Sequence, residues 1–439
     1  MAFRSDSDPT FFASKLKRSV YSPLCGLLTS VGYSLHPQGG PKVRVNGGEL
    51  TGMHVLLDRA APKPGSYHIG GVGLNRFESE VKVYAEAVER YCAGTAILHS
   101  SLERRWASRK ELLTSTRDSV LDVSTYGFSK PAPNGHFDRY SDEAPLTWVK
   151  VPRLNDSSQD WVPAQLFYLG YNPQRNEGEP WIGTAVTTGT AVHSTRLKAV
   201  SSAAYELIQV DAAMGFWHGA SRPVRIDLAG PRLASLRRIL DRSSGKTHKF
   251  RFYWLKTPGM QGFTIACVME SEGRELPFVA IGLGADQTLE GAIYKAFLET
   301  AGVRMLSVWT SFDSERDVET TEMLDLDSNV SYYSLSKEGA DFVLNRFESG
   351  ETLSAQELPD DCPLSGLDQV QDLLDGITAV SPLYAEDFTS REIIGLGLHC
   401  VRLWAPGLLP LSLPSAPMEN HPRYNFYGGF ANSEPHPYP

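Results

Sequence analysis

The chain has 439 residues, of which 41% are apolar and 21% charged, and its formal net charge is −9. This length and composition predict a globular protein with a large core, built as one composite fold or as roughly two to three domains. Its Lys and Arg residues are scattered without a basic run, which excludes a nucleic-acid-binding or anionic-membrane surface.

The cysteines and the hydropathy pattern narrow the class further. The five cysteines are widely spaced and contain no Cys-x-x-Cys pair, so they indicate reduced thiols in a cytoplasmic protein rather than a disulfide framework or a zinc site. The longest apolar run, residues 393–413, is interrupted by histidine, arginine and two prolines, and it does not predict a membrane span. The N-terminus lacks the apolar stretch of a signal peptide.

Three stretches of the chain share one plan, in which a glycine-containing turn precedes an amphipathic helix with an acidic residue near its far end. The glycines permit two interpretations: backbone N–H groups that approach a phosphate, or tight turns. In chain order, the predicted turns are 70–73, 187–191 and 281–286, and the helices that follow them are 76–91, 195–216 and 287–304.

Segments of alternating or β-branched residues predict strands among these helices. Strands and helices mix without strict βαβ order, which favours an α+β fold with mixed sheets and packed helices. The predicted strands are 52–58, 147–152, 165–170, 250–255, 263–269 and 277–283.

Two of the predicted helices carry paired oxygen ligands. Glu86 and Glu89 are three residues apart on the first helix, and Glu206 and Gln209 are three apart on the second, so each pair projects to one side of its helix. If the two helices face each other, these side chains form a cluster of hard oxygen atoms. Mg²⁺ prefers such ligands and commonly shares them with nucleotide phosphates.

Arginines lie at the ends of two of these helices, and their guanidinium groups suit bidentate contacts with phosphate. They are Arg90 and Arg304. The alternative is that each acidic and basic group belongs to a solvated helix face with local ion pairs, such as Lys82 with Glu86. The threefold repetition of the plan adds some weight to the site, and both interpretations stay open at this point.

The chain ends in alternating prolines, Pro435, Pro437 and Pro439. Proline fixes φ and lacks an N–H group, so this tail is predicted to be extended and polyproline-like, and able to deliver its terminal carboxylate to one fixed place. The alternative is a frayed terminus, since chain ends are usually loose and the whole last segment is rich in proline.

Six segments, in this order and ahead of the proline tail, resemble the YcaO superfamily. The resemblance implies a YcaO-like α+β fold with mixed sheets around a central ATP and Mg²⁺ site. It also implies three regions: an N-terminal extension (1–19), a YcaO domain (20–425) and a Pro-rich tail (426–439). The six segments are 22–28, 71–92, 161–170, 187–219, 276–304 and 387–411.

The resemblance also implies roles for individual residues. The family motif Ser-x3-Glu-x-x-Glu-Arg falls on the first helix, with lysine in place of the serine, and the second helix has glutamine in place of the usual second glutamate. The implied ATP and Mg²⁺ contacts are Lys82, Glu86, Glu89, Arg90, Glu206, Gln209, Glu299 and Arg304, and the implied metal ligands among them are Glu86, Glu89, Glu206 and Gln209. The implied catalytic group is the tail, Pro435, Pro437 and Pro439.

The activity that the resemblance implies is ATP-dependent cyclodehydration of a ribosomally made precursor peptide, which converts Cys, Ser or Thr into thiazoline or oxazoline. The alternatives are a thioamide- or amidine-forming relative, or a catalytically silent peptide-binding subunit. The expected partners are a leader-binding protein, related to ubiquitin-activating enzymes or built as a small recognition domain, and an FMN-dependent azoline dehydrogenase. A homodimer is also expected.

Overall fold

The computed structural model describes residues 9–36, 38–61, 68–128, 137–154, 156, 158–273, 275–312, 323 and 326–439. The first eight residues of the expected N-terminal extension lie outside this range. The helices are α1 (Pro9–Val20), α2 (Met53–Leu56), α3 (Arg76–His99), α4 (Arg109–Ser115), α5 (Ala164–Phe167), α6 (Arg196–Trp217), α7 (Ala234–Ser243), α8 (Leu289–Thr310), α9 (Ser328–Ser334), α10 (Lys337–Phe347), α11 (Gly366–Thr378) and α12 (Arg391–Gly395). Short 3₁₀ turns span Val123–Tyr126, Arg175–Glu177 and Pro422–Tyr427.

The described strands form four sheets, two of which are mixed and two purely antiparallel. The sheet orders are β1-β2-β3, β12-β11-β10-β9-β13, β14-β15-β8 and β4-β6-β7-β5; all pairs are antiparallel except β9 with β13 and β5 with β7. Helices pack between and against these sheets, so the predicted α+β class is confirmed. The strands are β1 (Leu28–Tyr33), β2 (Arg44–Leu50), β3 (His68–Gly73), β4 (Arg104–Ser108), β5 (Ser119–Val120), β6 (Pro145–Pro152), β7 (Gln159–Pro163), β8 (Thr190–His193), β9 (Val224–Asp227), β10 (His248–Leu255), β11 (Phe263–Ser271), β12 (Val279–Asp286), β13 (Thr352–Ser354), β14 (Tyr384–Asp387) and β15 (His399–Trp404).

One structural unit occurs three times and places the acidic residues. In each case a strand is followed by two residues and then by a long helix: β3 leads to α3, β8 to α6 and β12 to α8. The residue before each helix caps it, because the side chains of Asn75, Thr195 and Thr288 accept backbone N–H groups of the first turn. Each such cap contributes about 1 kcal/mol to helix stability. The three predicted helices are therefore present, and each continues beyond its predicted end.

Gly189, in the second predicted turn, does lie in a tight turn, with a φ of 83° and the Thr190 N–H donating to the Thr187 carbonyl oxygen over 2.8 Å. The glycines of the first and third predicted turns lie within strands instead. Gly71 lies within β3, and a Cβ atom there would lie 2.3 Å from the carbonyl oxygen of Ser79 on α3. Gly284 lies within β12, and its Cβ would lie 2.4 Å from the carbonyl oxygen of Ala292 on α8. Glycine is needed because each helix lies directly on its own strand.

Two other predictions about strands were wrong. The segments 52–58 and 165–170 contain the short helices α2 and α5, whereas 147–152, 250–255 and 263–269 lie within β6, β10 and β11. The segment 277–283 overlaps β12, which begins two residues later. Both errors concern single helical turns, which are too short to show a helical period in the sequence.

The helices also agree with the exclusion of a membrane span. Among the helices formed by the described residues, none is long and apolar enough to cross a bilayer. Residues Leu16 and Val20 of α1 are fully buried in the same apolar cluster as Val83 of α3. The N-terminal helix is therefore packed into the core of the fold.

Candidate functional site

The three long helices bring four of the predicted acids into one electrostatic cluster. Helix α3 contributes Glu86 and Glu89, α6 contributes Glu206, and α8 contributes Glu299. The charge of Glu86 helps to raise the pKa values of the other three acids, and the charge of Glu206 helps to raise that of Glu89. The structure thus brings acids together that are more than two hundred residues apart in the sequence.

Arg90 is the cation at the centre of this cluster. Its Nε donates to Glu86 Oε1 at 2.8 Å, and its Nη1 donates to Thr187 Oγ1 at 3.1 Å. Glu86, Glu89 and Glu206 all help to raise its pKa. Arg90 therefore links α3 to the segment that precedes β8, and one guanidinium faces several carboxyl groups.

Burial changes the protonation of the acids in this cluster. Burial raises the pKa of Glu206 to about 8, although the Gly189 backbone N–H, which donates to Glu206 Oε2 at 2.9 Å, opposes the shift. Burial also raises the pKa of Glu299 to about 7, and its Oε1 accepts the Leu283 N–H at 3.3 Å. The pKa of Glu89 lies well above its ordinary value, first through burial and then through Glu86 and Glu206. The cluster is thus short of positive charge.

This shortage fits a magnesium-bound nucleotide. A divalent cation beside these carboxyl groups would favour their ionised forms and remove their mutual repulsion. Within the described ranges, no group of three or more His, Cys, Asp or Glu side chains is arranged to hold a metal by itself. The residues present therefore fit a magnesium ion and the nucleotide that carries it.

Lys82 lies on the same helix but has a different partner from the one predicted. Its Nζ contacts Glu78 Oε1 at 3.3 Å, so the expected local pair with Glu86 does not form. Burial lowers its pKa, and the charge of Glu299 opposes that shift. Its side chain is 45% exposed, so it is only partly covered beside the cluster.

Two of the predicted site residues are not tied to the acid cluster by any contact. Gln209 is half-buried on α6, and its side chain makes no hydrogen bond to a described residue. Arg304 is buried, and its Nε donates to His248 Nε2 at 3.2 Å. Burial lowers the pKa of Arg304, and the only acid that opposes this shift among the described residues is Glu275. The structure thus gives Arg304 a packing environment away from the four acids.

The C-terminal tail reaches the same region. A cavity of about 660 Å³ is lined by Glu86, Arg90 and Glu299 and also by Pro439. Pro435 and Pro437 are buried, and Tyr438 is 1% exposed, so these residues are packed rather than frayed. The terminal residue therefore lies in the wall of a cavity that also contains charged groups of α3 and α8.

One residue that shapes this site, Arg402, carries no signal in the sequence. Arg402 was interpreted only as an interruption of an apolar run, yet its buried Nη1 donates to the carbonyl oxygens of Val186 and Thr188 at 2.8 and 2.7 Å. These bonds hold the segment that presents the Gly189 N–H to Glu206. Thr188 and Arg402 also help to line a second, larger cavity of about 880 Å³.

Comparisons with known proteins give one family and several similar structures. A family model described as YcaO cyclodehydratase, ATP- and Mg²⁺-binding, matches residues 70–409. No curated protein matches the chain in sequence. Among solved structures, a heterocyclase in complex with substrate and cofactor is similar with a TM-score of 0.71 and 17% identity. The match covers 97% of this chain and 56% of the heterocyclase, so the chain spans little more than half the length of that protein.

Two further solved structures match over nearly their whole length. The first is YcaO from Methanopyrus kandleri bound with AMPPCP and Mg²⁺, with a TM-score of 0.60, 17% identity and coverage of 92% of each chain. The second belongs to the E. coli microcin synthetase McbBCD complex, with a TM-score of 0.65, 13% identity and coverage of 96% of this chain and 99% of the other. At these identities, the likeness establishes a shared fold.

Proposed function

The chain belongs to the YcaO family, and on that premise we propose that it is an ATP- and Mg²⁺-dependent cyclodehydratase that forms thiazoline or oxazoline rings in a ribosomally made peptide. One observation carries the proposal. The last residue of this sequence, Pro439, lines the same cavity as Glu86, Arg90 and Glu299, so the tail and a charged cluster suited to a nucleotide meet at one cavity.

The proposed reaction removes one water from the peptide at the expense of ATP. The side-chain sulfur or oxygen of Cys, Ser or Thr forms a bond to the preceding carbonyl carbon and loses its proton. The resulting oxyanion takes the γ-phosphoryl group of ATP. The C–O bond then breaks as the amide nitrogen loses its proton, giving the ring C=N bond and phosphate. The products are the azoline, ADP and phosphate.

The protein residues contribute binding and charge, as phosphoryl transfer requires. We assign Mg²⁺ to Glu86, Glu89, Glu206 and Gln209, and the nucleotide to these residues with Lys82, Arg90, Glu299 and Arg304. When bound, Mg²⁺ neutralises phosphate charge and favours the ionised carboxylates. Among the protein groups, Arg90 has the strongest structural support, because Glu86 and Thr187 hold its guanidinium between two structural units. Arg304 has the weakest, because its Nε already bonds His248.

The tail would act on the peptide side of the reaction. Pro435 and Pro437 keep the segment extended, and the carboxylate of Pro439 accepts a proton from the attacking side chain or from the amide nitrogen. In this proposal, residues 426–439 form the tail, residues 20–425 the YcaO domain and residues 1–19 an extension. The burial of Pro435 and Pro437 supports a fixed tail.

The proposed partners follow from the chemistry and from the neighbouring structures. The substrate is a precursor peptide with Cys, Ser or Thr, delivered by a leader-binding partner protein. A similar structure belongs to the McbBCD complex, which supports action within an assembly. An FMN-dependent dehydrogenase that oxidises azolines and a homodimeric state are part of the same proposal.

The test is incubation of the protein with a cognate peptide, its partner protein, ATP and Mg²⁺. We expect loss of one water per modified residue by mass spectrometry, with one ADP formed for each ring. Exchange of oxygen for sulfur would identify a thioamide-forming enzyme instead, and incorporation of an amine would identify an amidine-forming one. Tight nucleotide binding without any peptide modification, or no nucleotide binding at all, would contradict the proposal.

A further inference from the structure

The C-terminal tail is held by one buried side chain close to its end. Asn329, in the first turn of α9, is fully buried. Its Nδ2 donates to the carbonyl oxygen of His436 at 2.5 Å and to that of Tyr438 at 2.8 Å. The amide group has two N–H donors, so both are used on the tail. The second acceptor is the carbonyl immediately before Pro439.

The other hydrogen bonds of the tail among the described residues lie further from its end. Tyr333 donates its hydroxyl to the carbonyl oxygen of Pro435 at 2.7 Å, and Trp217 Nε1 donates to that of Glu434 at 3.0 Å. The ring of His436 bonds the carbonyl oxygen of Ser412 at 2.8 Å. These contacts fix the direction of the segment. Among the described side chains, Asn329 alone bonds the carbonyl that precedes the terminal residue.

From these contacts we propose that Asn329 is a positioning residue, which sets how far the terminal carboxylate of Pro439 projects into the cavity lined by Glu86, Arg90 and Glu299. Only the expected effect of Asn329 on turnover rests on the proposed function; its effect on the position of the tail does not. Prolines at every second position remove the N–H groups with which the tail would otherwise pair, so its carbonyl groups are the available handles. A side chain that donates to two carbonyls two residues apart fixes both position and depth.

Asn329→Asp is the most direct test because it keeps the shape of the side chain. The Oδ1 atom of Asn329 has no hydrogen-bond partner among the described residues, so the substitution changes the contacts to the tail and little else. Burial keeps the introduced carboxyl group protonated, so it has one O–H donor for two carbonyl oxygens and at least one bond to the tail is lost. We expect the kcat for peptide modification to fall about tenfold or more, as small misplacements of reacting groups do, with the KM values for ATP and peptide nearly unchanged.

A matched control lies two residues along the same helix. Ser331 is also buried, but its hydroxyl bonds Thr310 Oγ1 and the carbonyl oxygen of Asp327, and it has no bond to the tail within the described ranges. Ser331→Ala should leave kcat nearly unchanged. An equal loss of kcat in Ser331→Ala would overturn the proposal, because it would show a general disturbance of α9. If Asn329→Asp does not fold, Asn329→Ser, which keeps one donor, takes its place.

Combining Asn329→Asp with a deletion of Pro439 distinguishes a positioning role of Asn329 from other effects of the substitution. If Asn329 acts through Pro439, a chain lacking Pro439 should show no further loss of kcat when Asn329→Asp is added. Additive losses would overturn the proposal. So would wild-type kcat in Asn329→Asp alongside a crippled Pro439 deletion.

A second readout does not depend on the reaction. Digestion of the folded full chain with a broad-specificity carboxypeptidase, followed by intact mass, reports whether the end of the tail is held. Asn329→Asp should lose C-terminal residues about tenfold faster than the wild type and Ser331→Ala. Equal rates would overturn the proposal even if the wild type formed no azoline. Absence of azoline formation by the wild type would instead refute the proposed function.

Discussion

The backbone N–H of Gly189 donates to Glu206 Oε2 over 2.9 Å, so the segment ahead of β8 directly holds an acid of the following helix. The same segment bonds Arg90 of α3 through the Thr187 hydroxyl. Arg402 of β15 fixes its carbonyl groups from the other side. One short segment therefore joins three elements around the acid cluster, and its geometry determines how the carboxyl groups face each other.

Substitution of Glu206 by Gln should separate metal binding from folding. Glutamine keeps an oxygen for the Gly189 N–H, and a neutral group suits a buried position at which the pKa is already raised to about 8. We therefore expect an unchanged or higher melting temperature. Binding of ATP in the presence of Mg²⁺ should weaken about tenfold, or about 1.4 kcal/mol. Calorimetric titration measures it, and Glu290→Gln, an exposed site on α8, is the matched control.

The free protein should become less stable as the pH rises through the neutral range. The folded-state pKa values of Glu206 and Glu299, about 8 and about 7, lie above the ordinary value of 4.5. Below pH 4.5 these groups are protonated in both states; between pH 4.5 and 8 the unfolded chain ionises freely and the folded chain does not. Their stabilising contribution is therefore lost as the pH rises through that window. Melting temperatures across pH 5–8.5 measure the effect.

Glu206→Gln combined with Glu299→Gln is the control for this pH dependence. The double variant should show a shallower decline, and saturating ATP with Mg²⁺ should have the same effect on the wild type. Nucleotide binding at pH 6.5 should also release protons, which calorimetry in buffers of different ionisation enthalpy detects. A wild-type stability that rises between pH 5 and 8 would show that the acids are already ionised in the free protein.

Secondary structure and fold class could be predicted from the sequence wherever a long local pattern existed. The helices that carry Glu86, Glu206 and Glu299 followed from their apolar period, and the α+β class followed from the mixture of elements. The roles of Gly71 and Gly284 did not follow, because these glycines are explained by helices that lie directly on their strands. Arg402 and Asn329 act through partners roughly one to two hundred residues away. No spacing rule in a single sequence brings such pairs together.

Alanine at Gly284 should destabilise the fold and displace α8. The added Cβ would lie 2.4 Å from the carbonyl oxygen of Ala292 and 2.5 Å from the backbone nitrogen of Ala296, and neither backbone atom can move without moving the helix. We expect a loss of about 1–3 kcal/mol in the free energy of unfolding, measured by urea denaturation. Gly395→Ala is the control, since nothing lies within 4 Å of its added Cβ. Equal stabilities of the two variants would mean that α8 is not in such close contact with β12.

Changes to the last residue should distinguish a chemical role of the tail from a structural one. Deletion of Pro439 alone is the informative truncation, because removal of Tyr438, which is 1% exposed and packs against Trp217, would itself cost about 3–5 kcal/mol in stability. We expect the Pro439 deletion, and an extension of Gly-Ser after Pro439, to lower kcat about a hundredfold while ATP affinity stays nearly unchanged.

A semisynthetic chain that ends in Pro439 carboxamide sharpens this comparison. The amide keeps the length and shape of the tail but removes the negative charge and the basic oxygens, so a carboxylate that takes a proton cannot be replaced by it. We expect the amide to be as slow as the deletion, with an unchanged melting temperature. Wild-type turnover of the amide beside a crippled deletion would assign the tail to shaping the cavity. The proton would then have to pass to another group, and the raised pKa values of Glu206 and Glu299, about 8 and about 7, make these two acids the next candidates.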